Sequence, residues 1–163
     1  GHNPKLVHVL NGGMKKWRQD NMKIETTANS FKPTNFTGKV DSSIISGFEN
    51  IRDNLDKLSI LDARSQEEYN GTILRAAQHG HIPNSINIDW NLNLKEDGTF
   101  KDDSELSKLY DIPKDSEIVT YCQGAYRAAN TFLVLKKIGS ENVRVYLGSW
   151  GEWGNRLDLP VEK

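Results

Sequence analysis

The sequence predicts an α/β domain, a parallel sheet with helices on both faces. Short apolar runs at residues 59–63, 85–89, 117–121 and 142–147 read as strands. Residues 128–138 place Ala128, Phe132, Leu135 and Ile138 on one helical face, with Gly139 as the end signal. Strand and helix alternate at a spacing that favours parallel pairing with crossover helices.

Taken in order, Gly1-His2 reads as a cloning scar, and residues 5–10 (KLVHVL) as a short buried strand. Asn11-Gly12-Gly13 is a turn, and residues 14–19 suit one or two helical turns. Residues 20–37 are polar, hold Pro33 and show no period, so they read as a linker. The alternating pattern begins at Lys39. The run at 59–63 is followed by a helix start at 65–69, where Ser65 and Glu68 have capping-box spacing. After the strand at 85–89 comes a short helix at 104–110, stopped near Pro113. The strand at 117–121 runs straight into Cys122. After the strand at 142–147, a short helix spans residues 150–153.

Composition narrows the class. The 163 residues suffice for one domain with a core and are too few for two full ones. A net charge of −1 gives no reason to expect nucleic acid or a membrane surface as a partner. No apolar run approaches the roughly 20 residues of a membrane span, and no basic-then-apolar leader opens the chain. With one cysteine an internal disulfide is impossible, which fits a cytoplasmic protein with reduced thiols.

In parallel sheets ligands sit beyond the carboxyl ends of the strands. Cys122 and the segment from Asp62 to Arg64 both lie at such ends and can share a pocket. A thiol between a buried strand and a helix start faces backbone N–H groups and the positive end of the helix dipole. Both stabilise a thiolate, a persulfide anion or a bound oxyanion. Gly124 is expected to let the loop bend so that successive amides point inward. Arg127 closes the loop with a charge suited to an oxyanion.

At this point the sequence resembles the rhodanese superfamily, specifically the catalytic half of tandem-domain sulfurtransferases. The resemblance covers residues 39–160 and rests on four motifs in the family's order. They are the segment from Leu61 to Ser65 with Glu68-Tyr69, the GHIPNSIN segment starting at Gly80, the Cys122 loop, and YLGSWGEW starting at Tyr146. Asn84 stands where the family usually has glycine. The early VLNGGMKKW, from Val9 to Trp17, is similar to the end of a rhodanese domain. Residues 1–30 are therefore expected to be a remnant of a preceding, non-catalytic rhodanese domain plus linker, and 31–163 the catalytic domain. The alternative is a simple strand-and-turn extension.

The resemblance implies a double displacement. Cys122 as nucleophile takes the outer sulfur of an anionic donor, holds it as a persulfide, and yields it to a thiophilic acceptor such as cyanide or a thiol. No cofactor beyond that covalent persulfide is implied. Arg64 and Arg127 are expected to bind the donor. The amides from Gln123 to Ala128 would cradle the sulfur, with Gln123, Gly124, Ala125 and Tyr126 contributing to the substrate-binding loop. Asp62 is expected to orient neighbouring loop groups, and Trp150 and Trp153 to pack the core. His79 and His81 lack a third ligand at metal spacing, and His81 falls in the structural GHIP loop, so no metal site is read there.

Two other classes compete. Cdc25-like cysteine phosphatases and arsenate reductases have five residues between cysteine and arginine. Only four separate Cys122 from Arg127, a smaller cradle fitted to sulfur. A non-catalytic rhodanese binding module is the other, against which Cys122 and Arg127 argue. The loop sequence CQGAYR matches neither the mercaptopyruvate nor the animal thiosulfate pattern of the family. Its cationic end favours thiosulfate as donor, with 3-mercaptopyruvate possible.

Overall fold

The computed structural model of the chain describes residues 2–163, so Gly1 of the expected cloning scar lies outside the described residues. After helix α1 (Gly13–Gln19), five strands alternate with helices: β1 (Ile45–Ser46), α2 (Phe48–Arg52), β2 (Ser59–Asp62), α3 (Gln66–Tyr69), β3 (Ile86–Asn87), α4 (Asp103–Leu109), β4 (Glu117–Tyr121), α5 (Tyr126–Lys137), β5 (Asn142–Tyr146) and α6 (Ser149–Trp153). The strands form one sheet in the order β1-β5-β4-β2-β3, with every pairing parallel.

Alternation along the strands divides the core into two layers. Ile60, Val119, Tyr121 and Tyr146 pack with Ile51 of α2 and with Trp150 and Trp153 of α6. Leu61, Ile118 and Val143 point the other way, against Leu106 of α4 and Val134 and Leu135 of α5. Helices therefore cover both faces of the sheet. Each such side chain, once buried, contributes roughly 1.5–3 kcal/mol. The capping box at α3 is present: the Glu68 N–H donates to Ser65 Oγ at 3.3 Å, and the Ser65 N–H donates to Glu68 Oε2 at 3.2 Å.

The N-terminal expectation needs correction. Residues 5–10 do not form a buried strand; a 3-10 turn (Pro4–Leu6) leads into chain in which Leu6, Val7, Val9 and Leu10 are all more than half exposed. A strand requires an edge to pair with, and no strand among the described residues pairs with this segment. The segment meets the domain at a few points, where Asn11 Oδ1 accepts the Phe100 N–H at 2.9 Å and Lys15 Nζ donates to the Glu96 carbonyl at 2.6 Å. Residues 20–37 hold no helix or strand. The expected strand at 85–89 shrinks to Ile86–Asn87 because Asp89 caps a 3-10 turn, its carboxylate accepting the Asn91 N–H at 2.9 Å. Among the described residues no helix is long and apolar enough to cross a membrane.

Candidate active site

Cys122 follows β4 directly and is 1% exposed. The loop it opens is held from beneath by α6. The N–H groups of Trp150 and Gly151 donate to the carbonyls of Cys122 and Gln123, both at 2.9 Å. Gly151 makes this approach feasible, since a Cβ there would lie 2.9 Å from the Gln123 carbonyl oxygen. Ser149 Oγ accepts the N–H groups of Cys122 at 3.2 Å and Ala125 at 3.1 Å, and donates to the Tyr146 carbonyl at 2.8 Å. With the carbonyls turned toward α6, the amides of Gln123, Gly124, Arg127 and Ala128 find no acceptor among the described residues. These donors lie in the loop that Cys122 opens, at the positive end of the twelve-residue α5. They suit a thiolate, a persulfide or an oxyanion leaving group.

The bend has a different origin from the one expected. Ala125 is the residue in the left-handed region, with φ 68° and ψ −21°, while Gly124 has no positive φ and open space around its Cβ position.

The two arginines part company. Arg127, at the start of α5, is partly exposed and donates to both oxygens of Glu68, at 2.6 and 3.0 Å. The Glu68 hydrogen bonds, with the Glu68 charge, hold Arg127 above its ordinary pKa against the cost of burial. Arg64 does not present itself to a donor, and the expectation that it binds the donor is not met. Its side chain is fully buried, bonded to both carboxylate oxygens of Asp62 at 2.7–3.0 Å and to the Gly80 carbonyl at 2.8 Å. The guanidinium carbon sits 4.5 Å from the centre of the Trp150 ring. Burial opposes its charge, but the hydrogen bonds and charge of Asp62 prevail and raise its pKa. Asp62 and Arg64 therefore brace the end of β2 against α6, beneath the cysteine loop.

Three groups entered the site without being foreseen there. Glu68 was visible as a capping residue and as part of a family motif, but its hold on Arg127 spans 59 positions and has no local signal. Burial raises the Glu68 pKa, but the Arg127 hydrogen bonds, the Ser65 N–H and the charges of Arg127 and Arg64 bring it below the ordinary carboxylate value. Arg75 lies 3.4 Å from Glu68 with an exposed side chain, and its carbonyl accepts Gln123 Nε2 at 3.1 Å. Ser149 is the third. Gln123 is tied back by the Arg75 bond, and its Oε1 is buried without a partner among the described residues. Of the loop side chains expected at the entrance, Tyr126 stands free, at 91% exposure.

His81 has a structural setting. It stacks on Tyr69 at 3.6 Å, its Nδ1 lies 3.0 Å from the Tyr69 carbonyl oxygen, and its backbone pairs with Glu162. Among the described residues no three His, Cys, Asp or Glu side chains gather closely enough to hold a metal ion.

Comparison with known proteins adds the family context. The rhodanese-like domain family matches residues 48–156. A putative thiosulfate sulfurtransferase of Mycobacterium tuberculosis is 34% identical over 96% of this chain and 61% of its own length. The sulfur carrier protein TtuD of Thermus thermophilus is 35% identical over 100% of this chain and 63% of its own. The thiosulfate sulfurtransferase of Pseudomonas aeruginosa is 34% identical over 95% and 59%. The chain thus spans about three fifths of the length of these curated relatives. Among solved structures, the anaerobic ergothioneine biosynthesis enzyme of Chlorobium limicola superposes with a TM-score of 0.87 at 22% identity. That match covers 96% of this chain and 41% of the other, and the likeness concerns the fold.

Proposed function

Because the chain belongs to the rhodanese-like family, we propose that it is a sulfurtransferase that carries sulfane sulfur on Cys122. The observation that carries this reading is the free amides of Gln123, Gly124, Arg127 and Ala128 in the loop that Cys122 opens at the carboxyl end of β4. Thiosulfate is the favoured donor, since the cysteine loop ends in the cationic Arg127 and relatives bear the name thiosulfate sulfurtransferase. 3-Mercaptopyruvate is the second donor to test.

In the first step the Cys122 thiolate attacks the outer sulfur of thiosulfate. A sulfur–sulfur bond forms as the donor's own breaks, and sulfite departs with the electron pair. In the second step cyanide or a thiolate attacks the outer sulfur of the persulfide, and the Cys122 thiolate is restored. Splitting the transfer in two predicts ping-pong kinetics. The amides of Gln123 and Gly124 stabilise charge on the sulfur as it develops, and the Arg127 guanidinium attracts the donor. The scheme uses the persulfide as its one covalent carrier, and a lone thiol of this kind suits a reducing, cytoplasmic setting.

In the longer protein, residues 1–30 belong to a preceding rhodanese domain, with 31–163 as the catalytic unit. The exposed apolar side chains at Leu6, Val7, Val9 and Leu10 support this, as does the chain's span of about three fifths of its relatives. The near-complete burial of Cys122 favours a second reading, a docking module that binds without turnover.

The test follows thiocyanate formation from thiosulfate and cyanide, beside a Cys122→Ser control and a parallel reaction with 3-mercaptopyruvate. Turnover lost in the control supports sulfur transfer. Turnover with mercaptopyruvate alone replaces the donor. If neither donor turns over and thiosulfate adds no sulfur to the intact mass, the docking reading prevails.

A further inference from the structure

Two non-glycine residues near the thiol occupy the left-handed region, Ala125 at φ 68° and Ser149 at φ 52°, and they are bonded to each other. Such backbone is disfavoured for side-chain-bearing residues and persists where surrounding contacts over-determine it. Glycine would adopt the Ser149 conformation without strain, so the side chain needs its own explanation. The hydroxyl supplies one. A serine oxygen has one proton to donate and two lone pairs to accept with. Ser149 uses all three, on Tyr146, Cys122 and Ala125, and it is wholly buried.

From this we infer that Ser149 is a positioning residue of the Cys122 site, an inference that rests on the sulfur-transfer reading of that site. Its hydroxyl takes up the N–H groups of Cys122 and Ala125. The neighbouring N–H groups of Trp150 and Gly151 take up the carbonyls of Cys122 and Gln123. Together these four bonds fix both ends of the loop, and the amides left over are those of Gln123, Gly124, Arg127 and Ala128. Without the hydroxyl two N–H groups lose their acceptor, and a buried donor cannot remain unpaired without cost. The loop then turns to satisfy them, and the remaining amides lose the arrangement that the four bonds impose. Donor capture by the Arg127 charge is less affected, so the defect falls on kcat more than on KM.

The test compares Ser149→Ala and Ser149→Gly with the wild-type chain. Both variants remove the hydroxyl, but only glycine relieves the positive φ. The expected result is a kcat lowered about tenfold or more in both, with KM changed by less than about threefold. Ser149→Gly should nevertheless unfold at a higher temperature than Ser149→Ala. Wild-type kcat in Ser149→Gly would overturn the inference and leave Ser149 a backbone feature, and this holds even if Ser149→Ala fails to fold. If the wild-type chain itself turns over no donor, the sulfur-transfer reading fails separately. The rate of Cys122 alkylation by iodoacetamide at neutral pH then decides Ser149: slower reaction in both variants upholds its hold on the loop, and equal rates refute it.

Discussion

Glu68 grips Arg127 with two hydrogen bonds, of 2.6 and 3.0 Å, and so joins the capping residue of α3 to the first turn of α5 across the mouth of the cysteine loop. One carboxylate thereby serves two elements, since the same Oε2 also caps the Ser65 N–H. The arginine that closes the loop is held in place rather than left to solvent.

This pair makes the fold sensitive to acid. The Glu68 carboxyl lies below its ordinary value of 4.5 in the folded state. A depressed carboxylate stabilises the fold fully above its unfolded pKa and loses that contribution as pH falls through the folded one. Glu68→Gln should therefore cost about 2 kcal/mol at neutral pH, and the gap to wild type should close as the pH falls from the ordinary carboxylate value through the depressed folded one. Urea unfolding of both proteins across that range measures it. A gap that stays constant into acid would show that Glu68 contributes by packing, not by charge.

Arg64 should behave as a structural residue. It is buried with Asp62, so Arg64→Ala leaves a carboxylate without its partner and should cost about 3–5 kcal/mol. The fraction that remains folded at low temperature should keep a wild-type KM for thiosulfate. Replacing Asp62 and Arg64 together with methionine should recover much of the stability, because an apolar pair carries no desolvation cost. A raised KM with unchanged stability would restore Arg64 to donor binding.

The contrast between these arginines shows what the sequence makes legible. Strands β2, β4 and β5, helix α5 and the place of Cys122 follow from local patterns: apolar runs, a helical stripe ending at Gly139, and a thiol where a strand meets a helix. Strand β1 is two residues long and carries no pattern to read. The destination of a charged side chain is a tertiary fact. Arg64 and Arg127 each follow a strand end or loop in sequence, yet one turns inward to Asp62 and Trp150 while the other meets a partner 59 positions away. The apolar run at residues 5–10 misled for a related reason, since an apolar pattern does not reveal whether a pairing edge exists.

Two glycines beside the thiol should respond in opposite ways. A Cβ at Gly124 meets nothing within 4 Å, and its backbone is not left-handed, so Gly124→Ala should alter stability by less than about 0.5 kcal/mol and turnover by less than about twofold. At Gly151 a Cβ would press on the Gln123 carbonyl at 2.9 Å, where the obstacle is backbone and cannot swing aside. Gly151→Ala should push the loop off α6, costing about 1–3 kcal/mol and lowering kcat about tenfold. Thermal unfolding and thiocyanate assays on the two variants read both effects. A Gly124→Ala defect as large as that of Gly151→Ala would mean that the loop bends at Gly124 during turnover.

The N-terminal segment gives the last prediction. Removing residues 1–30 discards two hydrogen bonds to the rest of the described chain, Asn11 with the Phe100 N–H and Lys15 with the Glu96 carbonyl, both at exposed sites. It also opens a cleft of about 170 Å³ between residues 9–13 and the side chains of Trp90, Leu94 and Phe100. Exposed hydrogen bonds contribute little, and Leu6, Val7, Val9 and Leu10 bury less than half of their surface. The deletion should therefore cost less than about 1 kcal/mol in urea unfolding. Binding of a hydrophobic dye should fall, because more apolar surface leaves with the segment than the cleft uncovers. A loss of several kcal/mol would instead make the segment an integral part of the catalytic domain and move the boundary at residue 31 toward the N-terminus.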